Sequence, residues 1–206
     1  MWSLPDRLPQ GRGRLASGIW RVLANPELQP AFLSGFNVLF SLVGLFTYIT
    51  FYLAAPPFLL GPAALGSVFF VYLVGVVVTP LAGRLMGRLG FRKSLMMATG
   101  AVALGAVVTL SHQLAWVLVG LTLSSSGAFV SQAAASGYVS QRSPADQRTS
   151  ALGVYLSCYY LGGSFGAAVP GLLWRLGGWP ACVALLVLVQ LATALLVRSR
   201  FRATVL

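Results

Sequence analysis

Gly83-Arg84-Leu85-Met86-Gly87-Arg88-Leu89-Gly90-Phe91-Arg92-Lys93 holds the only Lys, Arg, Asp or Glu found between residues 31 and 141. From Ala31 to Gly83, and again from Ser94 to Gln141, no side chain carries a formal charge. A helix on a soluble protein keeps a polar face toward water, and neither stretch supplies one. A membrane span needs about 20 apolar residues, so each stretch has room for two spans and a short turn. The basic run between them then falls at a membrane surface, where arginine stems reach water.

The whole composition agrees. The chain has 206 residues, 57% of them hydrophobic and 8% charged, with a mean hydropathy of +0.83. A soluble domain carries about a quarter charged residues, and a disordered chain needs low hydrophobicity and high charge. Both are excluded, which leaves a chain dissolved in lipid. Only closed hydrogen-bonding structures cross a bilayer, and the length of the apolar runs selects helices. Six are expected, roughly at 31 to 54, 62 to 82, 94 to 111, 114 to 139, 149 to 173 and 180 to 197. Pro56-Pro57 and Gly61-Pro62 break the first connection, 83 to 93 forms the second, and Ser111-His112-Gln113 the third. Ser143-Pro144 opens the fourth and Gly177-Gly178-Trp179-Pro180 the last. The reading is an all-α membrane protein of six transmembrane helices, with no room for a separate catalytic domain. Residues 1–30 form a cytoplasmic N-terminal segment, 31–197 the bundle, and 198–206 a cytoplasmic basic tail.

The net charge of +11 comes from fourteen Lys and Arg against three Asp and Glu. Six spans put both termini on one side. That side then collects every Lys and Arg except Arg175, among them Arg7, Arg12, Arg14, Arg21, Arg142, Arg148, Arg198, Arg200 and Arg202. Cationic residues stay cytoplasmic on insertion, so both termini are expected in the cytoplasm. The same split accounts for the charge without nucleic acid as a partner. Trp116, Trp174 and Trp179 fall at the expected outer surface and Trp20 at the inner one, as interfacial anchors do. Residues 15 to 23 read as a short amphipathic helix on the inner surface. A shift of 87 residues lays the first span on the fourth and Arg88-Leu89-Gly90-Phe91 on Arg175-Leu176-Gly177-Gly178. Triplets of spans run oppositely, so this is the pattern of a 3+3 inverted repeat.

Inside a bundle the interior faces are marked by small and polar residues. At 100° per residue, Asn37, Ser41, Gly44, Tyr48 and Tyr52 share a stripe on the first span. Tyr72, Gly75 and Thr79 do so on the second, and Gly120, Ser124, Gly127, Ser131, Ala134 and Tyr138 on the fourth, with Gln132 beside them. The fifth carries Gly153, Ser157, Tyr160, Ser164, Ala167 and Gly171 on one face and Tyr155, Tyr159, Gly162 and Gly166 on the other, which predicts burial on both sides. The sixth is nearly aliphatic apart from Gln190 and Thr193, which predicts the most lipid-facing helix, followed by the third. Two readings of the stripes stand side by side: helix packing for the small residues, and a water-filled cavity for the tyrosine hydroxyls and amides. The substrate-cavity candidates are Asn37, Tyr48, Tyr52, Tyr72, Ser131, Gln132, Tyr155, Tyr159 and Tyr160.

Asp6, Glu27 and Asp146 all fall outside the spans, and His112 is the single histidine. An ion relay calls on an intramembrane carboxylate or histidine, and none is visible. Cys158 and Cys182 sit in separate apolar segments and read as packing residues. No cofactor or metal is expected. An intramembrane serine hydrolase would need a Gly-x-Ser-Gly and a histidine on a neighbouring helix. The nearest stretch, Ser124-Ser125-Ser126-Gly127, lacks the first glycine, and His112 lies in a loop.

The run 83–93 resembles the signature loop of the major facilitator superfamily, Gly-x-x-x-Asp-Arg-x-Gly-x-Arg-Arg/Lys, with Gly83, Arg88, Gly90, Arg92 and Lys93 in place. Gly87 stands where the family has Asp, the carboxylate that latches the cytoplasmic side. Leu23-Ala24-Asn25-Pro26, Pro144 with Arg148 and Gly153, and Tyr159-Tyr160-Leu161-Gly162-Gly163-Ser164 are similar to family members as well. The likeness covers essentially the whole chain and is to the C-terminal six-helix half of bacterial drug-antiporter and arabinose-efflux-type permeases. It implies half of a major facilitator fold in a bacterial inner (plasma) membrane. The first, second, fourth and fifth spans would line a cavity for a small amphiphilic or sugar-like solute, with run 83–93 as hinge and latch.

A family member works by alternating access between two six-helix halves related by an axis along the membrane normal. The resemblance therefore implies a second six-helix half as partner, either a missing N-terminal half or a parallel homodimer. In family efflux pumps the coupling carboxylate often belongs to the N-terminal half. Met1 falls where the family has its central cytoplasmic loop, which fits a split gene and equally an internal start. A non-transporting truncated fragment is the competing reading.

Overall fold

The computed structural model describes residues 19–200, and every regular element among them is helical. Helix α1 covers Gln29–Ala54 and opens with Pro30 in its first turn, where a missing N–H costs nothing. After a turn at 55–61, α2 (Pro62–Ser67), a 3-10 stretch (Val68–Leu73) and α3 (Val74–Val108) follow end to end. Helix α4 covers Leu114–Arg142 and α5 Arg148–Arg200. Among the described residues, four runs are long and apolar enough to cross a membrane: Gln29–Ala54, Pro62–Val108, Leu114–Arg142 and Arg148–Arg200.

Two of these runs exceed any bilayer. At 47 and 53 residues they would measure about 70 and 80 Å if straight, against about 30 Å of hydrocarbon. Both are kinked at glycine. Gly90 has φ 75° and ψ 165°, and Gly178 has φ 60° and ψ −147°, with Gly177 beside it also off helix. Positive φ of this kind is open to glycine and strained for residues with a Cβ. The expected eleven-residue connection at 83–93 is thereby corrected. Helix continues through Leu89 and resumes at Phe91, because Arg84, Leu85, Met86, Arg88 and Leu89 are good helix formers. The helical segments 62–89, 91–108, 148–176 and 179–200 accordingly run past the expected span ends.

Close packing rests on small residues. A Cβ on Gly162 or Gly166 of α5 would collide with the Phe36 or Phe40 carbonyl of α1. Between α3 and α4, a Cβ on Gly120 would lie 2.6 Å from the Gly105 oxygen, and one on Gly127 2.6 Å from the Ala98 oxygen. Such small-residue seams replace the hydrophobic effect, which gives no attraction between helices in lipid. Two clusters of buried side chains result. One joins Val38, Leu45, Ile49, Val102, Leu121, Trp179 and Leu186. The other joins Val22, Leu28, Phe32, Leu95, Tyr138, Tyr155 and Val197.

Three expectations about faces are corrected. Within this chain, segment 148–176 is buried on one side only: Tyr155, Gly162 and Gly166 pack inward, while Gly153, Ser157, Tyr160 and Ser164 are exposed. Segment 179–200 is not the most lipid-facing, since Cys182, Val183, Leu186, Gln190, Thr193 and Val197 form a buried stripe. Segment 91–108 is likewise held by Leu95, Ala98, Thr99, Val102, Gly105 and Ala106. The barest stretch is 62–82, where only Val68, Gly75 and Ala82 are buried. Trp179 is not a surface anchor. It is 2% exposed, and its indole N–H donates to the Thr109 carbonyl (3.3 Å) and Oγ1 (3.2 Å). The break at Gly177–Gly178 lets the ring sit there, where its single donor is satisfied. Trp20 and Trp116 are exposed, and Trp174 packs on Tyr48 and Phe51.

Of the expected inner-surface helix, residues 19–23 are helical, with Val22 buried and Ile19, Trp20 and Leu23 exposed. Its remainder, with Asp6, Arg7, Arg12, Arg14 and Arg202, lies outside the described residues.

Candidate functional site

Along one side of α4 the side chains of Phe129, Gln132, Ser136 and Ser140 recur every three or four residues and so share a face. With Ala133, Gly137, Thr79 of α3 and Leu152 of α5 they line a groove of about 580 Å³. A second groove of about 400 Å³ shares Gly137 and continues past Gln141 to Gly83, Met86, Gly87, Gly90 and Phe91. Both volumes lie in the range of small-molecule sites, about 300 to 1,000 Å³. Among the described residues, no ionised side chain lines either groove.

An aromatic row borders the first groove. The Tyr72 ring lies tilted against Phe46, with centroids 4.4 Å apart, and meets Phe129 edge-on at 6.1 Å. On the α5 side the Tyr155 hydroxyl donates to Gln132 Oε1 at 2.8 Å. Tyr159 stacks on Tyr155 at 6.4 Å, and Tyr160 meets Tyr159 edge-on at 5.5 Å. Tyr160 is 64% exposed. The ring of Tyr155 is set by Gly35 of α1, where a Cβ would strike it. The groove itself offers the Phe129 ring, the Gln132 amide and the hydroxyls of Thr79, Ser136 and Ser140, which suits an uncharged or amphiphilic molecule with an apolar body.

The structure thus brings Tyr72, Gln132, Tyr155, Tyr159 and Tyr160 into one region. It places the other four candidates elsewhere. The Tyr48 hydroxyl donates to the Ala167 carbonyl at 2.6 Å. That of Tyr52 donates to the Ser111 carbonyl at 3.3 Å, with its ring stacked on Trp179. Asn37 is 4% exposed and exchanges hydrogen bonds with Gln190, Nδ2 donating to Oε1 at 3.0 Å and Gln190 Nε2 donating to Asn37 Oδ1 at 3.3 Å. Ser131 is buried near the same pair. Ser136, Ser140 and Phe129 were not among the candidates, although their spacing from Gln132 is a readable signal. Gln190 was visible only as an odd amide in an aliphatic helix.

The basic run is split by its helical geometry. Gly83, Gly87 and Gly90 line the second groove, and a Cβ on any of them would meet nothing within 4 Å. Arg92 Nη2 donates to the Arg198 carbonyl at 2.8 Å, covering one of the open carbonyls at the end of α5. Arg88 and Lys93 are exposed. Ser126, the nearest match to a hydrolase serine, donates to the Thr122 carbonyl at 2.7 Å. It lies about 18 Å along α4 from the helix start, beyond which His112 is found.

The family model of the Major Facilitator Superfamily matches residues 31–205. The chain is similar to the MFS-type transporter YybF of Bacillus subtilis (strain 168), with 33% identity over 84% of this chain and 43% of that protein. It is similar to a transporter of Buchnera aphidicola subsp. Baizongia pistaciae (strain Bp), with 32% identity over 78% and 39% of the two chains. The inner membrane transport protein YnfM of Escherichia coli (strain K12) shares 33% identity over 88% and 42%. The chain therefore spans about two fifths of the length of the curated relatives it matches.

Proposed function

The chain belongs to the major facilitator superfamily of membrane transporters, and on that premise we propose that it forms one six-helix half, the C-terminal one, of a twelve-helix carrier working by alternating access. The segments 29–54, 62–89, 91–108, 114–142, 148–176 and 179–200 serve as its six spans. The break at Gly177–Gly178 follows the one at Gly90 by 87 to 88 residues, close to the shift that overlays the two triplets, which supports a 3+3 inverted repeat. Both termini lie in the cytoplasm and the membrane is the bacterial inner membrane, in keeping with the placement of Lys and Arg. Residues 31–197 make the bundle, with 1–30 and 198–206 as cytoplasmic segments.

The observation that carries the reading is the uncharged polar and aromatic groove running across α3, α4 and α5. It faces a second six-helix half, either an N-terminal half or a parallel copy of this chain, and a small amphiphilic or sugar-like solute passes between the two, with efflux as the direction. The exposed polar face of 148–176 would be costly against lipid and is covered by that partner.

Proteoliposomes containing the chain with and without an N-terminal half test this, with ethidium and radiolabelled arabinose as probes. Flux of either above the protein-free background, lowered by Gln132→Ala, is expected. Absence of flux and of binding in both preparations would refute it. The two-fifths coverage of its relatives favours, as the second reading, a non-transporting piece of such a carrier, which would take over.

A further inference from the structure

Away from the grooves, four helical segments meet around a small polar cavity. Asn37 and Ser41 of α1, Ser131 of α4 and Gln190 of α5 line it together with Val102 and Ala128, and its volume is about 10 Å³. That is close to the space one water molecule requires, about 10 to 15 Å³ on this measure. Both hydrogens of Gln190 Nε2 are spent, on Asn37 Oδ1 and on Ser41 Oγ at 2.7 Å. Asn37 Nδ2 spends one hydrogen on Gln190 Oε1, and Ser41 Oγ donates to Asn37 Oδ1 at 2.9 Å. One N–H of Asn37 and one lone pair of Gln190 Oε1 are left over. The Ser131 hydroxyl, on a residue 3% exposed, has no partner among the described residues.

We propose that this cavity is a binding site for a single structural water, held by Ser131 Oγ, the remaining Asn37 N–H and Gln190 Oε1. A buried water makes two to four hydrogen bonds to groups otherwise unmet, and the residues that carry three such groups line this cavity. A hard cation takes oxygen ligands only, whereas Asn37 brings an N–H to the site. The water completes the polar junction that joins α1, α4 and the last segment of α5, and it does so whatever solute the carrier moves.

The sign of a stability change separates this from an orphaned hydroxyl. Removing a buried unpaired hydroxyl relieves a desolvation cost, while removing one partner of a bound water leaves the others unmet. Ser94 is the control, a buried hydroxyl that also lacks a partner and lines none of the cavities described. In SDS titrations of the full chain in mixed micelles, Ser131→Ala is expected to raise the unfolding constant about fivefold, with Ser94→Ala at or below wild type. In labelled protein, the side-chain amide protons of Asn37 and Gln190 should show magnetisation transfer from water that disappears in Ser131→Ala. Equal responses of the two variants, a stabilising Ser131→Ala, or no transfer in wild type would overturn the site. So would stability that rises when sodium chloride replaces choline chloride, since that signals a cation.

Discussion

The Asn37–Gln190 pair joins residues 153 positions apart, and a double-mutant cycle measures its worth. Gln190→Leu removes three hydrogen bonds: Asn37 Nδ2 to Oε1, Nε2 to Asn37 Oδ1, and Nε2 to Ser41 Oγ. Interhelical hydrogen bonds in membranes average about 0.6 kcal/mol each, so the bonds alone account for about 2 kcal/mol. The Asn37 amide left behind in an apolar interior adds about 1 kcal/mol or more. Gln190→Leu is therefore expected to cost about 3 kcal/mol, and Asn37→Leu a similar amount. Leu at both positions leaves no unmatched amide, so the double variant should cost well under the sum, with a coupling of about 1 to 2 kcal/mol. The assay is reversible SDS unfolding followed by the fluorescence of the five tryptophans. Additivity within about 0.5 kcal/mol would refute the reciprocal pair as the junction between α1 and the end of α5.

Gly162→Leu and Gly166→Leu should each separate α1 from α5 and cost several-fold in folded fraction, whereas Gly153→Leu, with nothing within 4 Å of its Cβ, should leave the SDS midpoint unmoved. Gly90→Ala forces a side chain into φ 75° and should destabilise by about 1 to 3 kcal/mol, while Gly87→Asp, pointing into open space, should fold normally; thermal unfolding in detergent reads both. Trp179→Phe loses the indole donor to Thr109 and should cost about 1 kcal/mol, along with a blue-shifted component of the emission. Tyr155→Phe frees Gln132 Oε1 and should change probe flux in proteoliposomes by more than it changes the unfolding midpoint.

Much of the helical layout was legible because its signals are local. Absence of charge over 31–83 and 94–141 needs no tertiary information to exclude water, and the kinks fall at Gly90 and Gly178 because a positive φ tolerates few other residues. The run 83–93 reads as a loop because it is charged, yet arginines are good helix formers whose long stems reach water from a helix. Within the groove, Gln132 stood out on composition, while Ser136 and Ser140 were hidden among many serines that pack helices.

Sequence by itself determined that this chain dissolves in lipid as helices and to which family it belongs. Helical periodicity also ordered residues around each axis. Tertiary structure alone decided which polar groups are spent inside and which line a groove. Asn37 and Tyr72 look alike as polar residues in apolar helices, yet Asn37 is consumed by Gln190 while Tyr72 joins the aromatic row beside the groove. Periodicity fixes a residue's angle on its own helix, but the partner across the gap depends on how helices distant in sequence are rotated against one another. That rotation is set by the seams at Gly162, Gly166, Gly120 and Gly127, where backbones meet closely enough to choose a single register.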